Sequence, residues 1–143
     1  MPSWSVRLQR TAFVWLIAGF AVGALLLGAK GLRWPLPWSQ WLGLHVELLL
    51  AGWLLQFTMG VAYWMLPKHA AGEERGPTPP IVAAYVFLNG GMLIAGVGQL
   101  FQAAPSIVAT GRLMEFAAVV AFARNAVPRI KPFGAGRAVS REP

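Results

Sequence analysis

One histidine stands at a position where an ionisable side chain is costly. His45 lies in an apolar stretch that continues past Gly52, Gln56 and Gly60 to Pro67. That stretch is long enough to cross a bilayer, and an ionisable residue inside such a segment is by default a candidate functional residue. An imidazole there can bind a metal through one ring nitrogen. The alternative is a histidine near the water interface that only forms hydrogen bonds.

The residues around His45 favour a bound cofactor. Side chains three or four residues apart share one face of a helix, and the face that carries His45 continues through Gly52, Gln56 and Gly60. Glycines remove side-chain bulk, so either a flat macrocycle such as haem or a second helix backbone could approach this face closely. The glycines alone fit both interpretations, because small residues are common in membrane helix packing. The added histidine favours a metal-containing macrocycle.

Charged residues in the last apolar segment suggest a second part of the site. Arg112 and Glu115 are three residues apart and share a helix face, which predicts an ion pair near the outer interface. Arg112 lies at a depth similar to that of His45, so it could also bind a haem propionate through a charge-assisted hydrogen bond. Glu47 is predicted on the far side of its helix, towards the interface or a partner helix. His69 is predicted in a solvated loop, a membrane thickness away from His45.

Composition places these residues in a membrane protein. The chain has 143 residues, of which 57% are hydrophobic and 12% charged, whereas soluble domains carry about 25% charged residues. The absence of cysteine excludes disulfides, iron–sulfur clusters, thiolate-ligated haem and covalently attached haem. Four apolar segments bounded by proline-rich breaks predict four transmembrane helices, at residues 12–29, 42–66, 81–101 and 107–122.

The basic residues predict how the helices are oriented. With four spans, both termini and the middle loop lie on one side, and that side holds nine Lys and Arg residues against three on the other. This asymmetry predicts cytoplasmic termini, with His45 near the outer face, in a bacterial-type inner membrane. A cleaved signal peptide is the alternative for the first segment, but no A-x-A-like site follows it. Because the basic residues flank apolar segments, we expect no nucleic-acid partner despite the net charge of +7.

These observations predict the fold class and the domain organisation. We expect an all-α integral membrane protein, a four-transmembrane-helix bundle formed by residues 1–130. Residues 131–143 are rich in Gly, Pro and Arg and are expected to form a basic, disordered cytoplasmic tail. Gly19 and Gly23 have the small-xxx-small spacing of packed helices. Four residues share one face of the third span and predict close packing with interhelical amide hydrogen bonds: Asn89, Met92, Gly96 and Gln99.

Several residues follow one another in a recognisable order: His45, Gly60 and Pro67 in the second span precede Asn89-Gly90-Gly91 in the third. This order resembles the start of subunit I of the haem–copper oxidases. That family includes cytochrome c oxidases, quinol oxidases and nitric oxide reductases. The resemblance covers four spans of a twelve-span subunit, mostly residues 42–98. It implies that His45 occupies the position of a low-spin haem ligand near the outer side of the membrane.

The resemblance also limits the expected activity. The family's copper and high-spin haem ligands, and the second ligand of its low-spin haem, belong to later helices that have no counterpart here. We therefore expect no oxygen or nitric oxide reduction by this chain alone. A second axial ligand would come from a symmetric copy in a homodimer, from a partner subunit, from a methionine or from another residue.

Three functions follow as expectations. The first is a membrane protein that binds haem b through His45 for electron transfer, haem sensing or assembly of a respiratory complex. The second is a cofactor-free accessory or scaffold subunit of such a complex. The third is a pigment protein, because a membrane histidine can also bind the magnesium of chlorophyll. A self-sufficient enzyme has no support, since the sequence offers no nucleophile–base pair, catalytic carboxylate pair or phosphate-binding loop.

Overall fold

The structure, a computed structural model, describes residues 1–67 and 78–130. Its helices follow one another along the chain as α1 (Ser3–Leu32), α2 (Trp38–Glu47), a π-helical segment (Leu48–Leu55), α3 (Gln56–Met65), α4 (Thr78–Leu100) and α5 (Pro105–Ala126), which a short 3-10 turn (Val127–Arg129) extends. The described parts of the chain contain no β-strand. The all-helical prediction is therefore confirmed for them, while residues 131–143 and His69 lie outside the described residues.

The segments α2, Leu48–Leu55 and α3 form one continuous helix, which we call the second span. With it, the described residues contain four helices that are long and apolar enough to cross a membrane: Ser3–Leu32, Trp38–Met65, Thr78–Leu100 and Pro105–Arg129. Each exceeds the ~20 residues that a ~30 Å hydrocarbon core requires. Large apolar side chains such as Ile17 and Phe116 are exposed on the outside of the bundle, as a lipid environment allows. These features indicate a multi-pass membrane protein.

The first helix begins nine residues earlier than the apolar pattern predicts, at Ser3 rather than at residue 12. Arg7 and Arg10 interrupt the hydropathy pattern, but Leu8 between them is fully buried. Leu8 packs in one cluster with Tyr63 and Ile81. Contacts with the other helices thus stabilise two turns that hydropathy alone does not predict.

The bundle has two ends. We call the end with the exposed residues Arg7, Arg10 and Arg124 the basic end. There α1 begins, α3 ends, α4 begins and α5 ends, and Leu8 contacts Tyr63 and Ile81. The opposite end holds the turn between α1 and α2. There Arg33 adopts a left-handed conformation (φ 53°) after α1, and Trp34 N–H donates to the carbonyl of Ala29 at 2.9 Å. Prolines at 35 and 37 prevent the helix from continuing.

Helices α4 and α5 pack backbone to backbone through two glycines. A Cβ placed on Gly111 would lie 2.6 Å from the amide nitrogen of Ala95 and 2.7 Å from the carbonyl oxygen of Gly91. No side chain separates the two helices at this point, which is the close approach that small residues allow in membrane proteins. This contact fixes where the side chains of α5 lie relative to the second span.

Candidate functional site

The imidazole of His45 packs against α1. Its Nδ1 atom lies 2.8 Å from the carbonyl oxygen of Gly19. Gly23, one turn further along α1, lies against the ring, because a Cβ on Gly23 would be 2.7 Å from His45 Cε1. A carbonyl only accepts hydrogen bonds, so Nδ1 carries a proton; in the tautomer with that proton, the lone pair lies on Nε2. Nε2 is therefore the atom of this half-buried side chain that could bind a metal.

The hydrogen bond from Nδ1 is an arrangement typical of metal-binding histidines. Such residues almost always donate their other ring N–H to a carbonyl or a carboxylate, which fixes the tautomer and the ring orientation. The packing role predicted for Gly19 and Gly23 is confirmed, since Gly19 also contacts Leu48 and Leu49 of the second span. The sequence did not indicate that these two glycines also position His45. Their spacing reveals a close approach but not which side chain fills it.

The other residues on the predicted face pack against α1 and α4. A Cβ on Gly52 would lie 2.6 Å from Met92 Sδ and 2.9 Å from Trp15 Cβ. Gln56 is fully buried, and its amide donates to the carbonyl of Leu8 at 3.2 Å. These contacts leave no gap for a macrocycle on this part of the helix within one chain.

Gly60 extends the same packed surface to the basic end. A Cβ placed there would lie 3.0 Å from Gln9 Cγ, and its carbonyl accepts a 2.7 Å hydrogen bond from the Ser5 hydroxyl. Of the two interpretations that the sequence left open, helix packing describes the surroundings of Gly52, Gln56 and Gly60. Together these three residues form what we call the α1 seam.

Arg112 joins two carboxylates from different helices. Its Nη1 donates to Glu47 Oε1 at 2.7 Å and to Glu115 Oε2 at 2.9 Å, and its Nη2 lies 2.6 Å from Glu47 Oε2. The predicted Arg112–Glu115 ion pair is therefore confirmed. Glu47, only 5% exposed, is a third member that connects the second span to α5. We call these three residues the charged triad.

The charged triad leaves Arg112 poorly suited to bind a propionate. Glu47 already occupies both terminal nitrogens of the guanidinium in a fork-like pair, and Glu115 shares one of them. A propionate would have to compete with these carboxyl groups for the same donors. The structure also does not bring Arg112 and His45 together, because His45 contacts α1 while Arg112 connects the second span to α5.

One signal in the sequence could have identified the triad. Glu47, Arg112 and Glu115 are charged residues well inside apolar segments, and such residues usually pair with one another because isolated charges are costly there. Glu47 is predicted on the side of its helix away from His45, towards the interface or a partner helix. In the structure that side faces Arg112 of α5.

Arg129 is a buried residue that the sequence identified only as a basic charge near the chain's end. It is fully buried, and its guanidinium donates to the carbonyls of Tyr63, Leu66 and Pro67 at 2.8–2.9 Å. Nη1 donates further to the Asn125 side chain at 3.1 Å. The last carbonyls of a helix have no partners within the helix, so Arg129 caps the end of α3. No local pattern predicts this role.

The predicted face of the third span packs as expected. Asn89 Oδ1 accepts a 2.7 Å hydrogen bond from Trp15 Nε1, an interhelical amide bond between α4 and α1. Gly96 lies against Leu44 and Glu47, and the Gln99 side chain lies against Gly43 of α2. Met92 lies against Gly52, so this face contacts both α1 and the second span.

No cluster of three or more His, Cys, Asp or Glu side chains suited to a metal ion occurs in residues 1–67 and 78–130. Within those ranges His45 stands as a single imidazole, so a metal there would need further ligands from elsewhere. Comparisons of the chain with known protein families, curated proteins and solved structures found no match.

Proposed function

We propose that this chain is a membrane protein that binds haem b through Nε2 of His45, for electron transfer or for assembly of a respiratory complex. The observation that carries the proposal is the 2.8 Å contact between His45 Nδ1 and the Gly19 carbonyl. It holds the tautomer in which Nε2 keeps its lone pair. The resemblance of the His45–Gly60–Pro67 pattern to oxidase subunit I supports the same role.

The residues of this chain fit one half of such a site. His45 would hold the iron through Nε2, while Gly19 orients the imidazole and Gly23 leaves room for it. The packed α1 seam and the occupied Arg112 do not contribute. We therefore propose that a second iron ligand would come from a second copy of the chain or from a partner subunit. When bound, haem supplies one-electron redox chemistry.

The visible spectrum and the pyridine haemochrome of the purified chain test this proposal. We expect a Soret band in the wild type and its loss in His45→Ala. His69→Ala is the matched control, a change of the same residue type that should keep the haem. One haem per two chains would indicate a ligand from a second copy. Absence of haem from the wild type after expression with haem supplementation would refute the proposal.

A cofactor-free accessory or scaffold subunit is the second candidate. The observation that favours it is the α1 seam, where Gly52, Gln56 and Gly60 are buried in helix contacts rather than lining a gap. This function predicts that the chain contains no haem and co-purifies with other membrane subunits. Chemical crosslinking in native membranes followed by mass spectrometry would identify those subunits.

We also propose that both termini lie in the cytoplasm of a bacterial-type cell. The support is the excess of basic residues at the basic end, where Arg7, Arg10 and Arg124 are exposed. Since the chain has no cysteine, single cysteines can report the topology directly. A membrane-impermeant maleimide applied to intact cells should label Ala104→Cys at the opposite end but not Ser3→Cys. The reverse pattern would overturn this orientation.

A further inference from the structure

An apolar groove runs between α4 and α5 on the outside of the bundle. Its volume is about 560 Å³, which lies within the ~300–1,000 Å³ range of small-ligand sites. Three alanines of these two helices, Ala83, Ala117 and Ala121, leave the space. Phe87 and Phe116 line the groove at the level furthest from the basic end. Apart from Arg124, the side chains that line the groove are apolar.

At the basic end, the lining of the groove includes the charged side chain of Arg124, which lies in the last turn of α5. Pro79 and Pro80 line the groove at the start of α4. Arg124 follows Phe116 by eight positions, so the groove extends about 12 Å along α5. An apolar groove thus has a cation at one end.

The side chain of Arg124 is exposed. Among residues 1–67 and 78–130 the acidic side chains are those of Glu47 and Glu115, and both pair with Arg112. An arginine at the level of lipid headgroups binds phosphate oxygens through charge-assisted hydrogen bonds. The cation and the apolar groove together match a molecule that has a phosphate at one end and a hydrocarbon chain at the other.

We propose that this groove binds an anionic glycerophospholipid, with one acyl chain between α4 and α5 and its phosphate at Arg124. A zwitterionic lipid also carries a phosphate, but its positively charged headgroup offsets the attraction to Arg124. One basic residue near the membrane surface contributes about 1 kcal/mol to the attraction of anionic lipid, which corresponds to about a fivefold preference. The proposal depends neither on haem nor on His45.

Native mass spectrometry of the full chain tests the proposal. The delipidated protein in a neutral detergent is offered equal amounts of phosphatidylglycerol and phosphatidylcholine with the same acyl chains. We expect about fivefold more phosphatidylglycerol adduct with the wild type and a ratio near one with Arg124→Gln. Arg10→Gln is the matched control, because Arg10 is exposed at the same end but outside the groove. It should keep the wild-type ratio.

A second variant tests the role of the apolar groove independently of the charge of Arg124. Ala117→Leu fills the groove and should reduce the adducts of both lipids severalfold, while circular dichroism confirms that the helices still form. Excess inorganic phosphate should leave the lipid ratio unchanged. The proposal is overturned if the wild type shows no preference, or if Arg124→Gln and Arg10→Gln give the same ratio. It is equally overturned if Ala117→Leu binds lipid like the wild type while phosphate abolishes the preference.

Discussion

The contact between α4 and α5 gives a sharp prediction for Gly111→Ala. The added Cβ would lie 2.6 Å from the Ala95 amide nitrogen and 2.7 Å from the Gly91 carbonyl oxygen, whereas ordinary contacts lie at 3.4–4 Å. Both clashing atoms belong to the backbone and cannot rotate away, so α4 and α5 must separate by nearly 1 Å. Overpacking of this kind costs about 1–3 kcal/mol, and we expect the upper end.

Helix propensity acts in the opposite direction and must be subtracted. Alanine stabilises a helix by about 1 kcal/mol relative to glycine, so the net loss in the free energy of unfolding should be about 2 kcal/mol. Gly28→Ala is the matched control, because a Cβ on Gly28 would meet nothing within 4 Å. That variant should gain up to about 1 kcal/mol.

Unfolding in mixed micelles of a mild detergent and sodium dodecyl sulfate, followed by circular dichroism, measures the difference between the two variants. We expect them to differ by about 3 kcal/mol, although the chemical change is identical. A difference below about 1 kcal/mol would refute the inference that α4 and α5 touch backbone to backbone at Gly111.

Three further predictions concern Arg129, Gly23 and Arg112. Arg129→Gln leaves three carbonyls at the end of α3 without their donor, and the same unfolding assay should show a loss of about 3 kcal/mol or more. Gly23→Ala displaces the ring of His45 and should lower haem occupancy in the haemochrome assay without large destabilisation. Arg112→Gln leaves two carboxylates without their cation and should cost about 2 kcal/mol, discounted for its partial exposure; adding Glu47→Gln should restore part of this.

Each of these has an outcome that contradicts it. Wild-type stability in Arg129→Gln would mean that the α3 carbonyls find other donors. Unchanged haem content in Gly23→Ala, together with loss in His45→Ala, would mean that the ring binds in another position. Strictly additive losses in the Arg112 and Glu47 variants would show that these two residues do not interact.

The four helices could be predicted because each depends on a local property of the sequence. Apolar runs of sufficient length are costly in water, and the prolines between them cannot continue a helix. The ends were less predictable. At the start of α1, Leu8 is buried by contacts with Tyr63 and Ile81, which are more than fifty residues away in sequence. Hydropathy within a window does not contain that information.

Individual residues of the candidate site could be predicted from the sequence, but which of them contact one another could not. The sequence identified His45, Arg112 and the glycines as unusual in apolar segments, and it anticipated the Arg112–Glu115 pair because the two residues share one helix. It did not predict that Glu47 completes that group, because the partner of a charge on one helix depends on how another helix packs against it. The Gly91–Gly111 contact, where α4 and α5 pack backbone to backbone, contributes to that packing.

His45 illustrates what the sequence determines by itself and what only the tertiary structure determines. The sequence alone determined that an ionisable ring lies inside an apolar span, since both facts are local. Only the tertiary structure decided which of its nitrogens is engaged, because the acceptor is a backbone carbonyl of α1, 26 residues earlier in the chain. It also decided that Gly52, Gln56 and Gly60 contact other helices, since the atoms of those helices fill the space in which another ligand would have to lie.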